Sequence, residues 1–473
     1  MTGSRRDFLK STGLFALLAG TTGVLNSNVF SQTTGKSTDK PNIVFLLSDD
    51  HSVPDMGCYG NRAVTTPNLD NLARQGMRFN KCYVACPQCS PSRASILTGR
   101  PPHTTGASKL HAPALPEFID IIELFKKANY YTAAYRKVHQ DLIQKKFDAY
   151  YNDNEPLTTF FSNRPKNKPF FLWFGSREPH RPYGPGKFSP PHKPEDVIVP
   201  NYLPDTPKVR QDLAYYYDGI AKFDKDCGQI LDLLQKNGLF NNTIVVVSGD
   251  NGLPFPRAKA SLYEAGVNVP LLIRWPGRVM ANTVSNELVS FYDFPATWLE
   301  LAGIKIPETF EGISLVPYLT GQTNYIPRDY AFIERNWHDT WVPMRGLVTD
   351  NYKLIINYRT ERGYTPSLDL YESDSFQEIM RLGKSGELSG NLEWYLNKKT
   401  PLFELYDLKK DPGEWNNVAD NPSYKTIRDE LLEAVSKWMF ETNDFLPPII
   451  GSFPADYPQY AGLIPIDAGI NWP

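Results

Sequence analysis

The chain carries no excess of charge of either sign. Its 50 lysines and arginines face 52 aspartates and glutamates, a formal net charge of −2, with a pI near 6.4. That balance excludes the broad basic field with which nucleic-acid binders collect phosphate, so no nucleic-acid partner is expected. An anionic ligand must be held by a local cluster of positive groups instead. Beyond the N-terminal stretch there is no apolar run long enough to cross a bilayer, no internal repeat and no low-complexity tract. Cysteine is scarce and odd in number: Cys58, Cys82, Cys86, Cys89 and Cys227. Cys86 and Cys89 form a C-x-x-C, but no second pair and no histidine pair follows at zinc-finger spacing. A thioredoxin-like redox site ahead of a helix stays open on spacing alone. What the 473 residues have in abundance is proline, 40 in all, which predicts ordered loops rather than long uninterrupted helices. Loops on a rigid scaffold are where catalytic and binding groups concentrate.

At the N-terminus, Ser4-Arg5-Arg6-Asp7-Phe8-Leu9-Lys10 precedes an apolar stretch over residues 14–25. The stretch is too short and too rich in glycine and threonine for a membrane span. Paired arginines followed by Phe8 and Lys10 favour a twin-arginine export signal over residues 1–31 rather than a basic tail. The expectation is a protein exported folded by the twin-arginine translocase, periplasmic or otherwise outside the cytoplasm, with no stable membrane insertion. Its mature chain would start between residues 31 and 41.

Three apolar runs read as buried parallel strands: Pro41-Asn42-Ile43-Val44-Phe45-Leu46-Leu47, residues 170–174 and Thr243-Ile244-Val245-Val246-Val247. Each ends in polar residues, respectively Ser48-Asp49-Asp50, Glu178-Pro179-His180 and Ser248-Gly249-Asp250-Asn251. Sites in open α/β sheets lie beyond the carboxyl ends of the strands, so these tails are candidates to meet. Thr66-Pro67 opens a helix with Leu69, Leu72, Ala73 and Met77 on its apolar face, and a long helix is expected over residues 209–234. After about residue 325 the pattern turns to amphipathic strands, Tyr352-Lys353-Leu354-Ile355-Ile356-Asn357-Tyr358 and Phe403-Glu404-Leu405-Tyr406-Asp407-Leu408, and a helix near 427–440. The reading is a catalytic domain over 38–325 and a smaller α+β domain over 326–473 with an antiparallel sheet.

The most specific segment is Cys89-Ser90-Pro91-Ser92-Arg93-Ala94-Ser95-Ile96-Leu97-Thr98-Gly99-Arg100. Taken alone, a proline after a polar residue simply starts a helix with Arg93 on its surface. Over its whole length the segment resembles the signature of type I sulfatases, in which the cysteine of C-x-P-S-R is oxidised to formylglycine (3-oxoalanine) before folding completes. Cys86 does not fit, because Gln88 stands where the signature needs proline. The resemblance implies an alkaline-phosphatase-like α/β sandwich with a large mixed central sheet flanked by helices. It also implies a formylglycine-generating maturation enzyme as partner and Cys89 as the modified residue. An aldehyde there hydrates to a geminal diol: one hydroxyl attacks sulfur, and the other lets the sulfated enzyme expel sulfate by collapsing back to the aldehyde.

Asp49, Asp50, Asp250 and Asn251 are hard oxygen donors at two strand ends, a set that suits Ca²⁺ better than zinc. Successive side chains of a regular strand face opposite ways, so both acids of the first pair converge only if the strand is already ending. Flanking the cysteine signature, they resemble the family's metal site, with residue 89 as a further ligand. Lys137-Val138-His139 resembles the family's K-x-H element, Lys137 neutralising sulfate and His139 taking a proton from the diol. Alternation along one strand would put the two on the same face. The resemblance further implies His180 as the general acid on the leaving group, Lys259 as the second sulfate lysine, and Arg93 as the group that holds the hydrate.

Beyond the signature, the chain resembles the N-sulfoglucosamine sulfohydrolases, the heparan sulfamidases. The likeness rests on Val197-Ile198-Val199-Pro200 with Leu203-Pro204-Asp205-Thr206-Pro207, on Asp250-Asn251-Gly252-Leu253-Pro254-Phe255-Pro256, on Pro343-Met344-Arg345, and on Phe403-Glu404-Leu405-Tyr406-Asp407 with Asp411-Pro412 and Lys437-Trp438. Lys259 departs from it, since arginine is expected there in the lysosomal enzyme. The resemblance implies cleavage of N-sulfate from terminal glucosamine in heparin or heparan sulfate fragments, with a sulfated saccharide as partner. His111, His338 and Arg345 are candidates for the sugar subsite. Other readings keep the nucleophile and change the bond: a glycan O-sulfatase, an arylsulfatase or a phosphonate monoester hydrolase. A non-catalytic anion- or glycan-binding protein is the reading of another class, if Cys89 is never converted.

Overall fold

The computed structural model describes residues 40–444. The export signal expected over 1–31 therefore lies outside the described residues. In chain order the first strands are β1 (Asn42–Ser48), β2 (Met77–Phe79), β3 (Cys82–Tyr83), β4 (Tyr131–Arg136), β5 (Ala149–Tyr151), β6 (Phe170–Gly175), β7 (Thr243–Gly249), β8 (Leu271–Arg274), β9 (Thr283–Ser285) and β10 (Val289–Ser290). Eight of them form one mixed sheet in the order β5-β4-β6-β1-β7-β8-β2-β9, while β3 and β10 pair separately.

β1 sits at the centre because it is apolar on both faces. Ile43, Phe45 and Leu47 join Phe171, Trp173 and Val246 in one core, closed by Ala94, Ile96, Phe294 and Trp298 from helices. Val44 and Leu46 join Leu172, Phe174 and Val245 on the other face, under Leu69, Leu72, Phe223 and Ile230. The period-2 alternation thus feeds two cores, and helices cover both faces. β1 runs parallel to β6, with Leu47 opposite Gly175, and parallel to β7, with Ser48 opposite Gly249. β4 runs parallel to β6, with Arg136 opposite Gly175. The carboxyl ends of four neighbouring strands therefore lie side by side along one edge.

The helix Cys89–Thr98 is buried along its whole length. It stops at Gly99, where φ is +65° and a Cβ would run into the Phe310 ring, so the signature's glycine is required by both backbone and packing. The long helix runs Pro207–Lys236, close to the expected span. The first helix ends at Gln75, so Met77 is not on its apolar face but opens β2. The physical reason lies at Gly76, whose Cβ position would overlap the Ile273 carbonyl of β8.

The second sheet is antiparallel, in the order β11 (Ala331–Trp337), β12 (Trp341–Val348), β13 (Tyr352–Asn357), β14 (Phe403–Asp407). The helix Lys425–Glu441 packs Leu431 and Val435 on Leu347, Leu354 and Leu405. The opposite face of this sheet sends Ile333, Met344 and Ile355 into the core of the large sheet. The proposed boundary at 325/326 falls in the connection between the sheets, but the described residues 40–444 belong to one compact unit. Among the described residues no helix is long and apolar enough to cross a membrane.

Candidate active site

Asp49 and Asp50 leave β1 while Asp250 and Asn251 leave β7, so the parallel register delivers both pairs to one place. Asp50 has φ +68°, and this left-handed turn is how two consecutive carboxylates face the same point. Its backbone N–H donates to Asp250 Oδ1 at 3.0 Å. One carboxylate oxygen each from Asp49, Asp50 and Asp250, together with Cys89 Sγ, lie within 4.8 Å of one another. Asn251 Nδ2 donates to Asp50 Oδ1 at 2.7 Å, while its Oδ1 is buried without a hydrogen-bond partner. A buried orphan acceptor beside three carboxylates is what a hard cation would satisfy.

The charge arrangement points the same way. Arg93 Nε donates to Asp250 Oδ2 at 2.8 Å and Nη2 lies 3.7 Å from Asp49 Oδ1. Lys137 Nζ lies 2.5 Å from Asp49 Oδ2. Lys259 Nζ bridges Asp50 Oδ2 at 2.8 Å and Asp369 Oδ2 at 2.7 Å. Burial alone would raise the Asp49 carboxyl, but Lys137, His180 and Arg93 hold it well below the ordinary value. Asp250 goes the other way: burial, with Asp49 alongside, pushes it up to about 7. Two adjacent buried carboxylates ionise together readily only if a further cation joins them. The residues present fit a Ca²⁺ ion.

Cys89 opens its helix at the top of this group, Sγ 3.4 Å from Asp49 Oδ1 and 3.8 Å from Asp50 Oδ1. Burial pushes the thiol well above its ordinary value; Lys137 and Lys259 pull it down, while Asp49 and Asp250 push it further up. A thiol held protonated is a poor nucleophile. Cys86 is buried elsewhere, with Sγ 3.6 Å from Gln88 Oε1.

Lys137 and His139 reach the site differently from the expectation. β4 ends at Arg136, and both residues sit on the loop beyond it. Left-handed backbone at Arg136 and His139, φ +59° and +61°, turns the side chains inward, and strand alternation plays no part. His139 Nε2 is 2.8 Å from His111 Nδ1, and its Nδ1 is buried without a partner. Burial, then Lys137, Arg93 and His111, push the His139 imidazole down to about 2, so the ring is neutral. His180 Nδ1 donates to the Arg181 carbonyl, which leaves Nε2 facing the cavity 3.3 Å from Lys259 Nζ. Arg181 therefore orients His180 through its backbone, while its guanidinium makes a bidentate pair with Asp212 at 2.8 and 2.7 Å.

These geometries accompany a family match. Residues 41–165 and 149–304 match the Sulfatase family. The chain belongs to the sulfatase family. It is a hydrolase of sulfate esters or sulfamates, of a family that generally uses formylglycine and a metal ion. Residues 257–382 also match N-sulphoglucosamine sulphohydrolase, C-terminal. An ulvan-active sulfatase of Formosa agariphila is 30% identical over 467 residues, covering 86% of this chain and 76% of that one. The human N-sulphoglucosamine sulphohydrolase is 29% identical over 461 residues, covering 85% and 90%. A solved structure of a protein in complex with its substrate D-glucosamine-2-N,6-O-disulfate superposes with a TM-score of 0.65 at 22% identity, covering 86% of this chain and 99% of that one.

In this sulfatase a cavity of about 580 Å³ opens above Cys89, with Lys137, His139, His180 and Lys259 around its floor. His111 lines the same cavity, with Nδ1 2.8 Å from His139 Nε2. His338 does line the cavity wall. Arg345 does not, and its assignment to the sugar subsite is corrected: the side chain is buried in a bidentate ion pair with Asp444, near Glu334. It sits on β12 facing the C-terminal helix end, so it staples the second sheet. The structure adds Asp369, which tethers Lys259, and Asp339, bonded to His338. Neither carries a sequence signature beyond the adjacent His338-Asp339 pair.

Proposed function

We propose that this sulfatase removes the N-sulfate of terminal glucosamine in heparin or heparan sulfate fragments, acting outside the cytoplasm after twin-arginine export and after conversion of Cys89 by a maturation enzyme. The observation that carries the reading is the match of residues 257–382 to the N-sulphoglucosamine sulphohydrolase C-terminal family. That stretch supplies Lys259, His338 and Asp369 to the cavity.

Within the cavity, Lys137 and Lys259 would neutralise the sulfate from two sides. His180, its Nδ1–H kept on the Arg181 carbonyl, would have to take up a second proton on Nε2 as an imidazolium and pass it to the departing nitrogen or oxygen, whose expulsion as an anion is costly. His139, backed by His111, would accept a proton on the nucleophile's side. Arg93 would fix the side chain at position 89 and offset the acids beneath it. Formylglycine, once formed at residue 89, supplies a hydrated aldehyde as the nucleophile. Asp49, Asp50, Asp250, Asn251 and residue 89 would hold Ca²⁺, which supplies Lewis-acid polarisation of the sulfate.

A second reading, an O-sulfatase on another glycan, is favoured by Lys259 in place of the arginine expected of sulfamidases and by the ulvan-active relative. Turnover of a panel of N-sulfated, 6-O-sulfated and algal sulfated sugars decides between them. The proposal expects N-sulfoglucosamine to give the highest kcat/KM; a clear preference for an O-sulfate overturns it.

A further inference from the structure

The chemistry above leaves one buried polar group on the cavity wall without a task. His338 sits in the turn joining β11 to β12, and the cavity is lined by both His338 and Asp339. His338 Nδ1 lies 2.7 Å from Asp339 Oδ2, and the same carboxylate oxygen accepts the Leu368 N–H at 2.6 Å. A carboxylate so placed accepts from Nδ1–H, and in the neutral imidazole this tautomer carries its lone pair on Nε2. That Nε2 is buried with no partner, and the residue is 5% exposed. The turn itself is anchored, since the Leu110 N–H donates to the Trp337 carbonyl at 2.9 Å, fixing it to the loop that carries His111.

The neighbouring Asp369 cannot serve the same purpose. Its Oδ2 is held by Lys259 at 2.7 Å, and its Oδ1 accepts from Ser367 Oγ at 2.5 Å and from the Leu370 N–H at 3.0 Å. His338 Nε2 is therefore a preorganised and unfilled acceptor on the wall. A site built to accept a hydrogen bond discriminates strongly against ligands that lack the donor, because the buried atom is then left unpaired.

We propose that His338 Nε2 accepts a hydrogen bond from a hydroxyl or amine of the sugar ring, and that Asp339 is the positioning residue that fixes the tautomer. The proposal rests on the sulfatase reading of this cavity but not on the choice between N- and O-sulfate. A sugar ring offers such donors; a bare sulfate ion or a simple aryl sulfate does not.

The test uses the full-length, converted enzyme with N-sulfoglucosamine and glucosamine 6-O-sulfate as substrates and inorganic sulfate as inhibitor. His338→Ala should raise KM for whichever sugar the wild type turns over by roughly tenfold, with the inhibition constant of sulfate unchanged. His338→Gln, whose amide oxygen can stand near the Nε2 position, should recover part of the loss. Asp339→Asn should raise KM less than His338→Ala does. Long-range ¹H–¹⁵N spectra of the wild type, with only seven histidines to resolve, should show His338 neutral with its proton on Nδ1. An unchanged KM in His338→Ala, a parallel rise in the sulfate inhibition constant, or a doubly protonated His338 would each overturn the proposal. Wild-type enzyme that sulfate inhibits but that turns over neither sugar would refute the glucosamine reading of the function instead; methyl-lyxoside, xyloside and galactoside sulfates would then serve as the substrates for the same variants.

Discussion

On the floor of the cavity, Asp49, Asp50 and Asp250 meet Arg93, Lys137 and Lys259 within the chain itself. On the wall from the second sheet, His338 is backed by Asp339 but keeps its outer nitrogen unfilled. The floor sets its cations around one point and suits a sulfate group whatever it is attached to. The wall is prepared for the part of the ligand that remains after sulfate has gone. Catalytic chemistry and choice of leaving group thus reside in different sheets, and they should respond separately to substitution.

The largest effect should come from the floor. Cys89→Ala should lower turnover of every substrate on the order of 10⁴-fold or more, whereas Cys86→Ala should keep most of it; equal losses measured in parallel assays would break the assignment. Next in size is removal of the metal. Chelation should silence the enzyme and Ca²⁺ should restore it, since the donor set contains no soft ligand in the converted protein. Recovery with zinc or manganese alone would contradict the oxygen-site reading.

His180 lies where floor and wall meet, and it sharpens the comparison. His180→Ala should cost roughly 10²–10³-fold on a sulfated sugar, whose leaving group needs a proton, and far less on an aryl sulfate. His139→Ala should slow both substrates alike. Steady-state rates on the two substrate types separate the roles, and equal damage from His180→Ala on both would reverse them. The smallest catalytic effect belongs to Arg345→Met. Its partner Asp444 is left buried and unpaired, which should destabilise the fold by about 3–5 kcal/mol, visible as a lower Tm. KM at a temperature where the variant is folded should not move, and a selective rise in KM would return Arg345 to the sugar subsite.

The same division decides what could be read from the sequence. The three strands at 42–48, 170–175 and 243–249 announce themselves as apolar runs ending in polar residues, and parallel register then forces their tails together. The cysteine signature is contiguous, so its helix and its glycine stop were legible as well. Lys137 and His139 were legible as site residues but not in their local structure, because left-handed backbone at Arg136 and His139 has no strong residue signature when neither is glycine. The wall was hardly legible. Asp369 acquires its place only by meeting Lys259, 110 positions away, and Arg345 is taken up by Asp444, 99 positions away. Pairing across such separations leaves no local pattern.

The proposed chemistry turns on conversion of Cys89 at the head of the metal group. The most direct measurement is mass spectrometry of the tryptic peptide spanning residues 82–93, taken from protein made in its native host, with labelling by an aldehyde-specific hydrazide. The account predicts an aldehyde in place of the Cys89 thiol, with Cys82 and Cys86 intact. A fully active preparation whose Cys89 is an unmodified thiol, or whose aldehyde lies at Cys86, would contradict it.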